Sequence, residues 1–233
     1  MNERLYMKKQ AFTLAEVMIT LLVIGVIAAL TLPALVGSYR SKMYTAQVKK
    51  AYSELANAVQ QVMIDENAND EISEVSGGNS DLVGFYTTTA SLKTSNSNSG
   101  AQYFLSTYFK YKSKGYGTAG VMAGSYTTPS GVSLGTVDNN YYCMGLKSEA
   151  SICMKFQNNI SKVVIDGNGR EAPNQSGQDL FVMRINNDGS ISDLDENANK
   201  CNVSSIGDST LEKYASGCLA KAMTEGWKIE EAD

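Results

Sequence analysis

The chain has 233 residues, with 20 lysines and arginines against 24 aspartates and glutamates, no histidine and a formal net charge of −4. Without histidine, Ser-His-Asp and Cys-His catalysis and histidine metal ligands are excluded. The sequence has no Walker-type or dinucleotide-binding glycine motif after a strand-like run, and no two carboxylates stand out as a catalytic pair. These features favour a protein that is not an enzyme.

The first feature along the chain is an apolar run, residues 12–36, which follows a short basic stretch, residues 1–11. At ~1.5 Å per residue, a helix over this run is roughly 37 Å long, enough to cross a hydrocarbon core of about 30 Å. Lys8 and Lys9 precede the run, and no further positive charge occurs before Arg40. This distribution predicts a single span of the inner (cytoplasmic) membrane, with a cytoplasmic N-terminus and an extracytoplasmic head.

An acid, Glu16, lies inside this apolar run. A carboxylate in such a segment costs on the order of 2.5–3.5 kcal/mol on insertion scales, so it is expected to have a partner. No lysine or arginine lies between Phe12 and Tyr39, and the amine of a neighbouring chain is one candidate. Cleavage after Ala11 would make Phe12 an N-terminus and keep the apolar segment, whereas a secretory signal is cut after its apolar stretch.

The N-terminal segment resembles that of type IV pilins and type II secretion pseudopilins in Lys8, Lys9, Ala11 to Glu16, the apolar run and Pro33. The resemblance implies that a prepilin peptidase cuts between Ala11 and Phe12, that Phe12 is N-methylated and that Glu16 aligns subunits in a filament. Pro33 lies where the family often has a helix-distorting proline. The family usually has glycine before the cut, where this chain has Ala11.

The resemblance, which covers about a fifth of the chain, implies a structural subunit of a type II secretion-like filament that requires no cofactor. Its partners would be other pilin or pseudopilin subunits, prepilin peptidase and an inner-membrane assembly platform, and the filament would be periplasmic or extracellular. A type IV pilus subunit for adhesion or DNA uptake is the first alternative. The second is a signal-anchored extracytoplasmic enzyme such as a glycosidase, with Glu16 reaching water at the interface. The start stays open between Met1 and Met7.

Helical periodicity continues after the apolar run, over residues 37–66. Apolar side chains recur there at spacings of three and four, at Tyr44, Val48, Tyr52, Leu55, Val59 and Val62. This stripe predicts an amphipathic helix that continues the first one as far as about Asp65. Two helices with a break near residues 33–38 are the alternative.

The remaining residues, 67–233, are rich in glycine, serine, threonine, asparagine and tyrosine, which predicts a single β-rich extracytoplasmic domain. Short strands are expected at residues 131–134, 151–157, 161–166 and 179–185. Residues 101–112 satisfy neither the helical nor the strand period. The predicted fold class is α+β, with a long N-terminal helix packed on a small antiparallel sheet, as in pilins.

All four cysteines lie in this outer part of the chain. An oxidising compartment predicts two disulfides, for which four cysteines allow three pairings. We favour Cys143 with Cys153 and Cys201 with Cys218, because each pair is close in sequence. A zinc site of four thiolates is the alternative, which the lack of any C-x-x-C spacing disfavours.

Residues 166–179 concentrate oxygen-bearing side chains around tight turns. Hard cations prefer such ligands, and some major pseudopilins bind calcium in a comparable acidic loop. Asp166, Asn168 and Asp179 are therefore the candidate calcium ligands. The alternative is that the Asp-Gly and Asn-Gly pairs only turn a hairpin.

One segment, residues 103–116, interleaves lysines with aromatic residues in a pattern that can stack bases or sugars. Ordinary sheet patterning gives the same sequence. Removing residues 1–11, which hold three cations and one anion, takes the net charge from −4 to −6. A chain this acidic repels phosphate, so nucleic acid is not expected as a partner.

Overall fold

The computed structural model describes residues 12–69, 99–117, 120–157, 160–186, 188–195, 201 and 216–227. The chain divides into two units, Met1–Arg40 and Ser41–Asp233. The predicted leader, residues 1–11, lies outside the described residues, and Ala11 with it.

The first unit contains the beginning of helix α1, Leu14–Asn69. Its most apolar part, Leu14–Leu32, has a mean hydropathy of 2.4 and is 0% buried. Nineteen residues at ~1.5 Å each span about 28 Å, close to the thickness of a hydrocarbon core. This part of α1 is therefore long and apolar enough to cross a membrane.

The second unit begins on α1 as well, because the backbone stays helical through residues 33–38 and on to Asn69. The expected apolar stripe faces a core here. Val48, Leu55, Val59 and Val62 are fully buried, and Tyr44 is nearly so. A single amphipathic helix, rather than two helices with a break, is what the structure has.

A six-stranded antiparallel sheet follows, in the order β1-β4-β5-β6-β7-β8, with a separate two-stranded sheet of β2 and β3. The strands are β1 Tyr111–Tyr116, β2 Tyr126–Thr127, β3 Ser133–Gly135, β4 Tyr142–Leu146, β5 Ser151–Gln157, β6 Ile160–Asp166, β7 Leu180–Ile185 and β8 Ile191–Asp193. The described part of this unit also contains two short helices, α2 Ser99–Tyr108 and α3 Cys218–Thr224.

Both faces of the large sheet are covered. Neighbouring residues of a strand belong to different faces, because successive side chains of a strand point to opposite sides. One face packs against the second half of α1 and against α2 through Met144, Ile152, Met154, Val163 and Phe181. The other face packs against residues 121–141 through Cys143, Cys153, Val164 and Val182. The predicted α+β class is confirmed, with a long N-terminal helix and an antiparallel sheet.

Of the eight strands among the described residues, β3, β5, β6 and β7 fall within two residues of the predicted segments. The others were not predicted. Among them, β2 and β8 have two and three residues, too few to show a period of two. Residues 101–112 fit neither period because α2 ends at Tyr108 and β1 begins at Tyr111, so the segment holds parts of both elements.

Both disulfides join the pairs that are close in sequence. Cys143 and Cys153 face each other directly across β4 and β5, and Cys201 is bonded to Cys218 at the first residue of α3. No thiolate remains for the alternative zinc site. Asp193 adds a polar contact at the same end of α3, since its carboxylate accepts the backbone N–H groups of Gly217 at 2.7 Å and Ala220 at 2.9 Å.

Candidate functional site

The candidate site lies at the first turn of α1, around Glu16. Its carboxylate oxygen Oε2 accepts the backbone N–H of Thr13 at 2.9 Å and the Thr13 hydroxyl at 2.8 Å. In return, the backbone N–H of Glu16 donates to the Thr13 hydroxyl at 3.3 Å. This reciprocal pattern is a capping box, in which a threonine and a glutamate three residues later satisfy the free N–H groups of a helix start.

The surroundings of Glu16 are open and apolar. Phe12, Val17 and Thr20 line a recess of about 400 Å³ together with Glu16. Phe12 is 86% exposed, so the described residues leave its ring largely uncovered. Among the described residues no donor reaches the second carboxylate oxygen of Glu16, Oε1. That oxygen is therefore available to a group from outside the chain.

A family model described as the prokaryotic N-terminal methylation motif matches residues 6–32. This is the prepilin-cleavage signal of type IV pilins and pseudopilins. The matched range includes Ala11, Phe12, Glu16 and the apolar stretch of α1, and it ends one residue before Pro33. Neither the comparison with curated proteins nor the comparison with solved structures gives a match.

The motif supports a type IV pilin-like or pseudopilin subunit, a class that is processed by prepilin peptidase, is membrane-associated and assembles with other pilin subunits. It also favours a structural role over an enzymatic one. The helix Leu14–Leu32 fits a single-pass anchor of such a subunit. Pro33 lies within the helical backbone of α1.

The structure adds Thr13 to the candidate site, a residue that our sequence analysis did not single out. The signal was present, since Thr13 and Glu16 have the T-x-x-E spacing of a capping box directly before an apolar run. Glu16 thus has a local structural role in the single chain, besides any role between chains. An experiment on Glu16 has to separate the two.

The predicted calcium ligands lie in the second unit, where Asp166 ends β6 and Asn168 and Asp179 lie in the loop between β6 and β7. Asp166 and Asp179 are both fully buried. One oxygen of Asp166 accepts the Tyr126 hydroxyl at 2.6 Å, and the oxygens of Asp179 accept the backbone N–H groups of Asn174 at 2.8 Å and Gln175 at 2.6 Å. Protein donors therefore already contact both carboxylates.

Burial controls the protonation of these groups. It raises the pKa of Asp166 well above the ordinary value, and the nearby charge of Asp179 raises it further. Burial also raises the pKa of Asp179 to about 6, against the opposing effect of its backbone hydrogen bonds. The pKa of Tyr126 is raised too, first by burial and then by the charge of Asp166. A bound cation would favour the ionised carboxylates over the protonated ones.

The three candidate ligands suit a hard cation, because Asp166, Asn168 and Asp179 would each bind it through a side-chain oxygen. The side-chain amide of Asn168 donates to the carbonyl of Ala172 at 3.0 Å, while no described residue donates a hydrogen bond to its buried Oδ1 atom. Within the described part of the chain, the buried Oδ1 of Asn174 has no partner either. The described residues contain no group of three or more acidic, cysteine or histidine side chains that could hold a metal, so amide and carbonyl oxygens would have to complete the ligand set.

The segment of lysines and aromatic residues, 103–116, forms the end of α2 and the edge strand β1. Lys112 pairs with Glu149, and the Lys114 ammonium lies 4.9 Å from the centre of the Tyr111 ring. The Tyr116 ring packs edge-on against Tyr142, with 5.0 Å between centroids. These contacts engage both lysines of the strand within the chain, which is the ordinary sheet pattern.

Proposed function

We propose that the chain is a pseudopilin, a structural subunit of a type II secretion-like filament that is trimmed between Ala11 and Phe12 and assembled through α1. The observation that carries the proposal is the capping-box carboxylate of Glu16 at the start of an exposed apolar helix, inside a prepilin-type motif. The subunit performs no chemistry. Its N-terminus is cytoplasmic before assembly and its head is extracytoplasmic.

Assembly resolves two physical problems of the single chain. The apolar surface of Leu14–Leu32 needs lipid or other subunits around it, because exposure of such a surface to water is unfavourable. When this helix leaves the lipid and packs against other subunits, Glu16 becomes buried and requires a cation. The Phe12 amine of a neighbouring subunit would supply that charge to Oε1, while Thr13 continues to occupy Oε2.

Two variants of Glu16 separate pairing from capping. Glu16→Gln keeps an oxygen for Thr13 but removes the negative charge, and Glu16→Ala removes both. We expect both variants to insert in the membrane and both to lose filament incorporation, measured by quantifying the chain in sheared filaments. Normal incorporation of Glu16→Gln would reduce Glu16 to a helix cap. Glu54→Gln, on the same helix in the second unit, is the matched control.

A type IV pilus subunit for adhesion or DNA uptake is the alternative. Adjacent genes for a secretin would favour the secretion filament, whereas a gene for a retraction motor would favour the pilus. An anchored glycosidase would need two carboxylates facing one cleft. The described residues offer little support for it, because Asp166 and Asp179 are buried and hydrogen-bonded.

Calcium binding by Asp166, Asn168 and Asp179 stays a prediction. It is supported by the two buried carboxylates and by the unpartnered oxygen of Asn168. We expect added Ca²⁺ to raise the melting temperature of the full chain in detergent, and the Asp179→Asn variant to lose this effect. A melting temperature that is the same with Ca²⁺ and with a chelator would show that the loop is a turn only.

A further inference from the structure

The second unit contains a cleft of about 400 Å³ between the second half of α1, the end of α2 and the turn after β4. Among the described residues that line it are three lysines, Lys50, Lys110 and Lys147, and one acid, Glu54. The described lining of this lysine cleft therefore has a net charge of +2. The whole chain has a net charge of −4.

Helix α1 fixes the position of Lys50, whereas Lys110 and Lys147 lie outside the helices and strands and are joined by a backbone hydrogen bond. Lys50, Glu54, Asn57 and Gln61 follow one another on α1 at spacings of four, three and four, which places them on one side of the helix, beside the buried stripe. The backbone N–H of Lys147 donates to the carbonyl of Lys110 at 3.1 Å, so these two lysines lie next to each other.

The floor of the cleft is part of the core. Phe109 is 7% exposed, and its ring packs edge-on against Phe104 with 5.8 Å between the ring centroids. Tyr108, which also lines the cleft, donates its hydroxyl to Asp65 at 3.2 Å. The lysines therefore extend from a packed base.

None of the three ammonium groups has an ion-pair partner among the described residues, where the salt bridges are Lys112 with Glu149 and Lys155 with Asp138. The Glu54 carboxylate accepts the hydroxyl of Ser148 at 3.3 Å. Three like charges around one cleft repel each other, and this repulsion is relieved when carboxylates enter. An ammonium is a compact charge on a flexible stem, so a set of three can adapt to several carboxylate positions.

We propose that the lysine cleft binds an acidic segment of a second copy of this chain in the filament. The inference rests on the proposed function, because assembly is what brings a second copy next to the head. The charge of the chain supports this partner: without residues 1–11 a second copy has a net charge of −6, and the lysine cleft has the opposite sign. Contacts of this kind fix the register of a complex and its choice of partner.

Zero-length carbodiimide crosslinking tests the contact directly, because it joins a lysine amine only to a carboxylate within contact distance. Filaments assembled from a mixture of unlabelled and ¹⁵N-labelled full-length chain would be crosslinked, digested and analysed by mass spectrometry. We expect mixed-isotope peptides that join Lys50, Lys110 or Lys147 to an acidic peptide of a second copy. Crosslinks that join these lysines only to a different kind of subunit would contradict the proposal.

Charge variants provide the functional test. We expect the triple variant Lys50→Glu, Lys110→Glu, Lys147→Glu to lower filament incorporation at least about tenfold, because like charges would then face each other across the contact. The triple arginine variant keeps the charge and should assemble normally without forming the crosslinks. Lys49→Glu is the matched control, since Lys49 is exposed on α1 next to Lys50 but does not line the cleft.

The outcomes separate this inference from the proposed function. Filaments that form normally with the triple glutamate variant, or crosslinks confined to Lys49 or to pairs within one chain, would overturn the lysine cleft and leave the pseudopilin assignment standing. Failure of the wild-type chain to enter any filament would overturn both. Retention of the variants in the membrane fraction with intact disulfides shows that they fold.

Discussion

The two units of the chain treat their apolar residues in opposite ways. In the first unit, Leu14–Leu32 exposes its apolar side chains, and Leu22 is 69% accessible. In the second, α1 buries Leu55 completely against the sheet. One helix thus contains an exposed apolar segment that is long enough to cross a membrane and a segment that completes a core. The contrast shows that the surroundings of each segment, rather than helix propensity, determine where its apolar residues lie.

The largest expected effect distinguishes these two segments by the same substitution. Leu55→Ala should lower the free energy of unfolding of the head by about 2–5 kcal/mol, because it leaves a cavity in a packed core. Leu22→Ala should leave that free energy unchanged, since Leu22 makes no contribution to the core. Denaturant unfolding of the full chain in detergent measures both. Equal losses for the two variants would break the contrast between the units.

A second expected effect concerns the buried carboxylates of the head. The folded chain holds the pKa of Asp179 near 6, above the ordinary 3.8, so between these values it binds more protons than the unfolded chain. The stability from this protonation is complete below about pH 4 and is lost as the pH rises through 6, by on the order of 3 kcal/mol. Unfolding curves in the presence of a calcium chelator should show this loss.

Two variants sharpen the pH experiment. Asp166→Asn keeps an acceptor for the Tyr126 hydroxyl and removes a carboxyl group whose own pKa is raised by burial and by the charge of Asp179, so we expect a flatter pH dependence than in the wild type. Asp188→Asn is the control at an exposed carboxylate, where hydrogen bonds from Ser190 lower the pKa and the stability change has the opposite sign. The difference between the wild type and Asp188→Asn gives the contribution of Asp188 to the pH dependence. If the stability of the wild-type head rises from pH 4 to pH 7 by more than this contribution, the interpretation is contradicted.

The smallest expected effect concerns the start of α1 in the first unit. Thr13→Ala removes the hydroxyl of the capping box and should destabilise the first helical turn by about 1 kcal/mol. Hydrogen exchange of the first amides of α1 in detergent should become faster, while exchange in the head stays the same. Thr13→Ser keeps the hydroxyl and should behave like the wild type. If the exchange rates of Thr13→Ala equal those of the wild type, the Thr13 hydroxyl does not stabilise the first turn of α1.

The first unit was the more predictable one from sequence. A membrane imposes one strong requirement, a long run of apolar residues, so Glu16 stands out at once.

Two features of the second unit were equally predictable. The buried stripe of α1 was clear, because Val48 to Val62 repeat the helical period over several turns. Both disulfide pairs follow the shorter sequence separations.

The head was less predictable because its determinants are short or distant. β4 has five residues and includes Gly145, and its pairing with the edge strand β1 joins segments about thirty residues apart. The lysine cleft combines Lys50 with Lys110 and Lys147, which share no local pattern. The Tyr126 hydroxyl that contacts Asp166 is also forty residues away in sequence. Such contacts depend on tertiary packing, which no local period encodes.

We propose above that cleavage between Ala11 and Phe12 converts the apolar part of α1 into a segment for filament assembly. Mass spectrometry of the N-terminal peptide, purified from cells that carry the assembly system, tests it most directly. We expect a chain that begins at an N-methylated Phe12, with residues 1–11 removed. A chain that retains Met1 or Met7 under the same conditions would contradict it.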